Sequence, residues 1–319
     1  MKLCVVAALF GGMKIEKALA YCQKVGLEAI ELPVGPYPGD PWNLQKIYKK
    51  PKRLAELKMK IADAGLVVQG ISAHGNPLHP NTAIAKVHQQ MHHDGVMLAA
   101  EFETVVINFS GCPAGTRKDT VPNFVTCPWP PEFSEASDYQ WDVTIAHWTG
   151  EEKFAREHGA KIAFEAHPGM VVHSPEDIVR LRKLTGKNIG ANFDPSHFWW
   201  QGIDPLEAIR FLGENNCLFH FHAKDCYINP AGRGTCGNLD TKGYGEVNKR
   251  GWVFCTVGYG HGEEFWKPCM RTLRAYGYDG AISIEHEDSL MSIQDGFEKA
   301  VAYLNPIILK QPAAKPWWF

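Results

Sequence analysis

What most constrains this chain is an eightfold alternation: a short apolar run followed by an amphipathic stretch, repeated from end to end. The runs occupy residues 3–9, 29–32, 67–72, 104–108, 161–165, 189–194, 217–222 and 281–285. None keeps the strict apolar–polar alternation of a sheet with one wet face. Each is therefore expected to be a strand buried on both sides in a parallel sheet. Helices are predicted near 14–25, 52–64, 81–100, 142–158, 175–184, 204–212, 263–276 and 292–309. The first carries Ile15, Ala18, Leu19 and Cys22 on one face, at helical spacing. Eight strand–helix units bounded by Gly and Pro predict an α/β chain closed into a (β/α)8 TIM barrel, a single catalytic domain over residues 1–319. An open sheet binding a dinucleotide would want Gly-x-Gly-x-x-Gly after an early strand, and the first turn offers only Gly11-Gly12.

A minimal barrel takes about 250 residues, and this chain has 319. The surplus falls mainly in two segments, 111–141, rich in Pro and aromatics, and 227–259, rich in Gly and polar residues. They follow strands 4 and 7, so both are expected to rise over the C-terminal mouth. The aromatic content of the first favours an ordered lid. A net charge of −2 gives no basic footprint for nucleic acid, and no apolar run approaches the length of a membrane span. The start, MKLCVVAALFGGMK, has one lysine and a short apolar run like a leader, but a helical pattern follows at once. It reads as the first strand, with a cytoplasmic location expected. Nine cysteines without a Cys-x-x-Cys pair read as reduced thiols, Cys217 as a core thiol among them.

Chemistry is expected where strand ends converge on one mouth. The last four runs read KIAFE ending at Glu165, IGANFD ending at Asp194, LFHFH ending at His222 and AISIE ending at Glu285. Three carboxylates and an imidazole converging there would repel one another unless a cation sat between them. Oxygen-rich donors with one nitrogen suit Mn²⁺ first, with Mg²⁺ or Co²⁺ as alternatives, rather than a closed structural zinc site. A cation holding two sugar oxygens would polarise a carbonyl, and a carboxylate beside it would take the adjacent proton. Glu165 and Glu285 are the natural acid/base pair. Around them, His197, His74, His167, Lys224 and Glu31 are candidate substrate contacts. For His74, His167 and Glu31 structural packing is an equal alternative, and for Lys224 a salt bridge is. His220 lies one layer below His222 on the same strand face and reads as a buried, hydrogen-bonded residue.

The motifs FEAHPG, NFDPSHFWWQGIDPLEAI, HFHAKD, VGYGH and GYDGAISIEHEDSL, with ISAHGNPLHP upstream, resemble the sugar phosphate isomerase/epimerase group of xylose isomerase-like barrels. The resemblance spans nearly the whole chain. It implies a metal on Glu165, Asp194, His222 and Glu285, a substrate contact at His197, and the acid/base pair of ketose 3-epimerases at Glu165 and Glu285. Two departures matter. The substrate arginine of those epimerases would fall near Ile228, and Arg233 cannot be equated with it. Where members commonly show a tyrosine before the fourth helix, this chain has His147 in IAHWTG, an extra catalytic base or a solvent-facing helix start.

The group is also similar to the larger subunit of C-glycoside deglycosidases, which cleave the carbon–carbon bond of 3-oxo-glucosides after enolisation. A lid carrying Trp129, Trp141 and Trp148 would suit a flat polyphenol. The expectation is thus a metal-dependent lyase or isomerase, with C-glycoside deglycosidation ahead of sugar isomerisation or ketose epimerisation. Its partner would be a small sugar or glycoside, with a small second subunit or a homo-oligomer as further options. The apolar end, Trp317, Trp318 and Phe319, offers a docking point for such a partner. Sugar phosphate is not supported, because no Gly-rich phosphate cradle follows the late strands. A metal-dependent nuclease would want more histidines and a basic groove, a glycosidase would need only two carboxylates and no metal, and a non-catalytic sugar-binding barrel is the bland competitor.

Overall fold

The computed structural model describes residues 1–35, 37 and 39–318, so Phe319 lies outside the described residues. Seven strands come first: β1 (Lys2–Val5), β2 (Ala29–Pro33), β3 (Val67–Ser72), β4 (Val105–Asn108), β5 (Lys161–Glu165), β6 (Ile189–Phe193) and β7 (Leu218–Ala223). An antiparallel pair comes next, β8 (Asp225–Ile228) with β9 (Trp252–Cys255), and then β10 (Ala281–Ile284). The eight strands other than β8 and β9 run parallel in the order β1-β10-β7-β6-β5-β4-β3-β2. A parallel bridge between Val6 and Glu31 joins the two ends and closes a (β/α)8 TIM barrel.

Helices flank every strand, and their inward stripes seal the outside of the barrel. The helix Pro205–Glu214, for example, buries Ala208, Ile209 and Leu212 and starts where Asp204 accepts hydrogen bonds from the backbone N–H of Leu206 and Glu207. Between helices and strands, Leu3, Leu32, Phe164, Phe193 and Phe221 are all buried. Pairing register fixes the height of the residues that matter. Glu165 stands opposite Asn192, Asn192 opposite His220, and His222 opposite Ser283.

Several boundaries differ from expectation. The first strand stops at Val5 and the chain turns as a 3₁₀ helix over Ala7–Phe10. The helix expected from about 142 starts three turns earlier, at Pro131, and runs to Glu157. Pro131 at its first position and Glu132 in its first turn are the start signals, hidden in the sequence by the Pro-rich stretch before them. Trp141 and Trp148, seven residues apart on this helix, share its inner face and are nearly or wholly buried. Trp148 packs edge-on to Phe164 and donates from Nε1 to the Ser110 carbonyl at 2.8 Å. Arg180 stacks over Trp141, 3.8 Å from the ring centroid. These two tryptophans therefore seal the helix–strand layer and are not lid residues. Trp129, 76% exposed, remains at the surface. The Gly-rich segment after β7 is ordered by the β8–β9 hairpin and the short helix Pro230–Cys236. Among the described residues no helix is long and apolar enough to cross a membrane.

Candidate metal centre

Glu165 is the last residue of β5, and Glu285 comes directly after β10. His222 lies in β7. Asp194 ends β6 by capping the short helix Pro195–Trp199. Its Oδ1 accepts from the Ser196 N–H at 2.8 Å, while the buried Oδ2 faces the Lys224 ammonium at 3.1 Å and His197 Nε2 at 3.3 Å. One donor atom from each of Glu165, Asp194, His222 and Glu285 lies within 4.8 Å of all the others. Three oxygens and one nitrogen so close, all on buried or half-buried side chains, fit a divalent cation well.

The surrounding groups orient these four. Glu165 Oε2 lies 3.1 Å from His74 Nε2 and accepts from Asn192 Nδ2 at 3.0 Å, and its Oε1 lies 3.0 Å from His197 Nε2. Burial works against the Glu165 charge, but His74, His197 and His222 outweigh it and hold its pKa well below the usual carboxylate value. Lys224, 2% exposed, sends its ammonium into the same space. It lies 3.1 Å from Asp194 Oδ2, 2.9 Å from Glu285 Oε2 and 3.0 Å from Glu287 Oε2. Burial with the nearby charges of Glu165 and Glu285 lifts the Asp194 pKa to about 6, against the pull of Lys224. Glu285 goes the other way, to about 2, because Lys224 and His222 outweigh its burial.

Other expected contacts fall at different distances from this centre. His197 and His74 both touch Glu165 and so orient a ligand carboxylate directly. His167 packs against His197 with ring centroids 4.2 Å apart and lines a cavity of about 370 Å³ together with Tyr37, Tyr244, Phe254 and Glu287. His167 and Tyr244 also border a second cavity of about 480 Å³, walled by Trp200, Trp252 and Phe124. Trp200 and Trp252 are stacked, with centroids 4.3 Å apart and planes 6° apart.

Two expectations need correction. Glu31, expected as a candidate substrate contact, does not reach the mouth. Strand β2 continues to Pro33, which leaves Glu31 a layer below the mouth, 0% exposed, under His222 and beside His220. His147 is not at the mouth either. With the helix starting at Pro131 it becomes a mid-helix residue, on the same outer layer as Glu151, His92 and His93. Its Nε2 is buried without a partner and its ring packs edge-on to Trp148. So placed, His147 packs in the helix–strand layer and does not stand where a base at the mouth would.

Sequence reasoning passed over Asn192, Glu287 and Asp225. Asp225, fully buried, gathers the 258–261 turn: its Oδ2 accepts from the N–H groups of Gly258, Gly260 and His261 at 3.0, 3.2 and 3.0 Å, and His261 Nδ1 lies 2.8 Å from Oδ1. The HAKD and VGYGH motifs are thus two halves of one clamp, which their separation in sequence conceals.

A family model described as a xylose isomerase-like TIM barrel matches residues 19–307. Over 314 residues the chain is 33% identical to the uncharacterized protein YfiH of Bacillus subtilis, covering 97% of this chain and 99% of that one. It is 28% identical to an inosose dehydratase of Geobacillus thermodenitrificans, but over only 54% of each chain. Among solved structures, the probable 3-DHS dehydratase AsbF of Bacillus anthracis superposes with a TM-score of 0.67 at 16% identity, covering 96% of this chain and 99% of that one. The IolI protein with a bound zinc atom gives 0.65 at 16% identity, covering 99% and 100%. At these identities the structural matches speak for the fold alone.

Proposed function

Because the chain belongs to the xylose isomerase-like TIM barrel family, we propose that it is a divalent-metal-dependent enzyme that removes a proton beside the carbonyl of a keto-sugar. The observation that carries this reading is the convergence of Glu165, Asp194, His222 and Glu285 within 4.8 Å at the mouth. A cation held there, Mn²⁺ by the donor chemistry and Mg²⁺, Co²⁺ or zinc as alternatives, would polarise the substrate carbonyl. Glu165 and Glu285, which flank His222 Nδ1 at 3.1 and 3.2 Å, form the pair that takes and returns the proton. His197 and His74 hold Glu165 in place, and Lys224 and His167 are the groups left to meet substrate oxygens. Asp194, with one oxygen committed to its helix cap, serves as a ligand only.

Removal of the proton produces an enediolate, whose fate depends on the neighbouring carbon. We place C-glycoside deglycosidation of a 3-oxo-glucoside first: loss of the C2 proton, formation of the C1–C2 double bond, and departure of the aryl carbon, which takes up a proton. The aromatic cavity bordered by His167, Trp200, Trp252 and Phe124 supports an aryl leaving group, because flat rings stack on aromatic walls. Loss of water from a keto-inositol is the second reading, favoured by the half-length similarity to an inosose dehydratase. Return of the proton to the opposite face would make the chain an epimerase.

Mass spectrometry of Mn²⁺-loaded protein in D₂O, with a free ketohexose, a keto-inositol and a 3-oxo-C-glucoside of a polyphenol, tests all three. Aglycone release from the glucoside alone supports the first reading. Loss of water from the keto-inositol moves the chain to the dehydratases, and exchange on the ketose to the epimerases. No exchange on any of the three sinks the enolisation reading.

A further inference from the structure

Below the mouth, the barrel interior holds a carboxylate that no step above uses. Glu31 is fully buried, and four donors from three strands close around it. His220 Nε2 lies 2.8 Å from Oε2 and Ser283 donates to the same oxygen at 2.7 Å, while Ser72 donates to Oε1. The fourth is His222, whose Nε2 lies 3.1 Å from both Glu31 oxygens. The other nitrogen of that ring faces upward: His222 Nδ1 is 3.1 Å from Glu165 Oε2 and 3.2 Å from Glu285 Oε2. One imidazole therefore bridges the buried floor and the ligand set.

We propose that Glu31 is a positioning residue that holds the Nε2–H of His222, so that Nδ1 is the nitrogen delivered to the metal. This rests on the metal-centre reading of the mouth. A neutral imidazole carries its proton on one nitrogen only, and the partner of one nitrogen decides what the other can bind. A buried carboxylate is costly where nothing needs it, and an apolar residue would fill this space with less to satisfy. The neighbouring strand makes room for it. Gly70 stands opposite Glu31 in register, and a Cβ there would come within 3.2 Å of Glu31 Cγ and of His220 Cε1. Glu31, His220 and His222 also lie close enough to hold a cation themselves. The two serine hydroxyls argue against that, because they take lone pairs a cation would need and leave a saturated hydrogen-bonding network.

Titration calorimetry with Mn²⁺ on the whole chain and on Glu31→Gln, each checked for folding by circular dichroism, tests the assignment. The parent should bind one Mn²⁺, and E31Q should bind it about 10–100-fold more weakly. A folded E31Q with parental affinity, whatever its melting temperature, would overturn the proposal. So would two Mn²⁺ per parent chain with one lost in E31Q. Should E31Q fail to fold, long-range ¹H–¹⁵N correlation on ¹⁵N-histidine-labelled, Zn²⁺-loaded parent decides: the proton belongs on His222 Nε2, and a proton on Nδ1 refutes it. A parent that binds no metal at all would instead remove the metal-centre reading itself.

Discussion

Replacing Lys224 by methionine should make the stability of the protein depend on metal. Its ammonium lies within 3.1 Å of carboxylate oxygens of Asp194, Glu285 and Glu287. Burial disfavours its charge, yet Asp194, Glu285, Glu287 and Glu165 together hold its pKa well above the usual value. Methionine keeps most of the length and apolar volume, so the stem packs much as before and the change is chiefly the lost charge. Removing one partner of a buried pair costs about 3–5 kcal/mol, because the opposite charges stay buried without compensation. For a chain of 319 residues, unfolding entropy near 60 °C is about 0.7 kcal/mol per degree, so the metal-free variant should melt about 4–8 °C below the parent. Differential scanning calorimetry in EDTA would read the loss. Repeating it in excess Mn²⁺ should recover much of the difference, since a divalent ion supplies the charge that the ammonium did. A loss below about 1 kcal/mol in EDTA, or an equal loss with and without Mn²⁺, would refute the idea that Lys224 and the metal answer the same carboxylates.

Three further outcomes rest on the same geometry. Asp194→Ala removes a ligand and the helix cap together; calorimetry should show Mn²⁺ binding abolished, while circular dichroism shows a folded barrel at a cost of about 1 kcal/mol for the cap. Asp225→Asn can no longer accept all the donors of the 258–261 turn, so urea denaturation should show a loss of about 1–3 kcal/mol and hydrogen exchange should accelerate at Gly258, Gly260 and His261. On the outer layer, Glu151 raises the His93 pKa through a hydrogen bond against partial burial, and His92 and His147 face the same carboxylate. A raised folded pKa gives stability that is complete below the unfolded value and lost as pH rises through the folded one. His93→Gln should therefore lower urea stability at pH 6 and leave it unchanged at pH 9.

The barrel and the four ligands could be read in the sequence for the same reason. Glu165, Asp194, His222 and Glu285 each close a mainly apolar run, broken only by Asn192, His220 and Ser283, and a charged group placed there has only the mouth to face. Glu31 lies in an apolar run of the same kind, but β2 runs two residues past it, to Pro33, and a shift of that size moves a side chain from the rim into the barrel. His147 was misplaced by a boundary: Pro130-Pro131 looked like loop and was the start of a helix, so three turns of helix were missing from the count. Glu287 and Tyr37 come from loops 250 residues apart and meet at 3.4 Å only because the barrel closes. Asp225 was hidden for a related reason, since the turn it gathers lies beyond a hairpin that no periodicity announced.

The ring of His222 has consequences for anyone who would move this centre elsewhere. Copying the four mouth residues onto another barrel would transfer the donors but not the floor of Glu31, Ser72, His220 and Ser283 on which one of them stands. Such a graft would carry an imidazole free to turn over, presenting either nitrogen. The unit that has to travel intact is therefore two storeys deep, and the narrow space beside Gly70 has to travel with it.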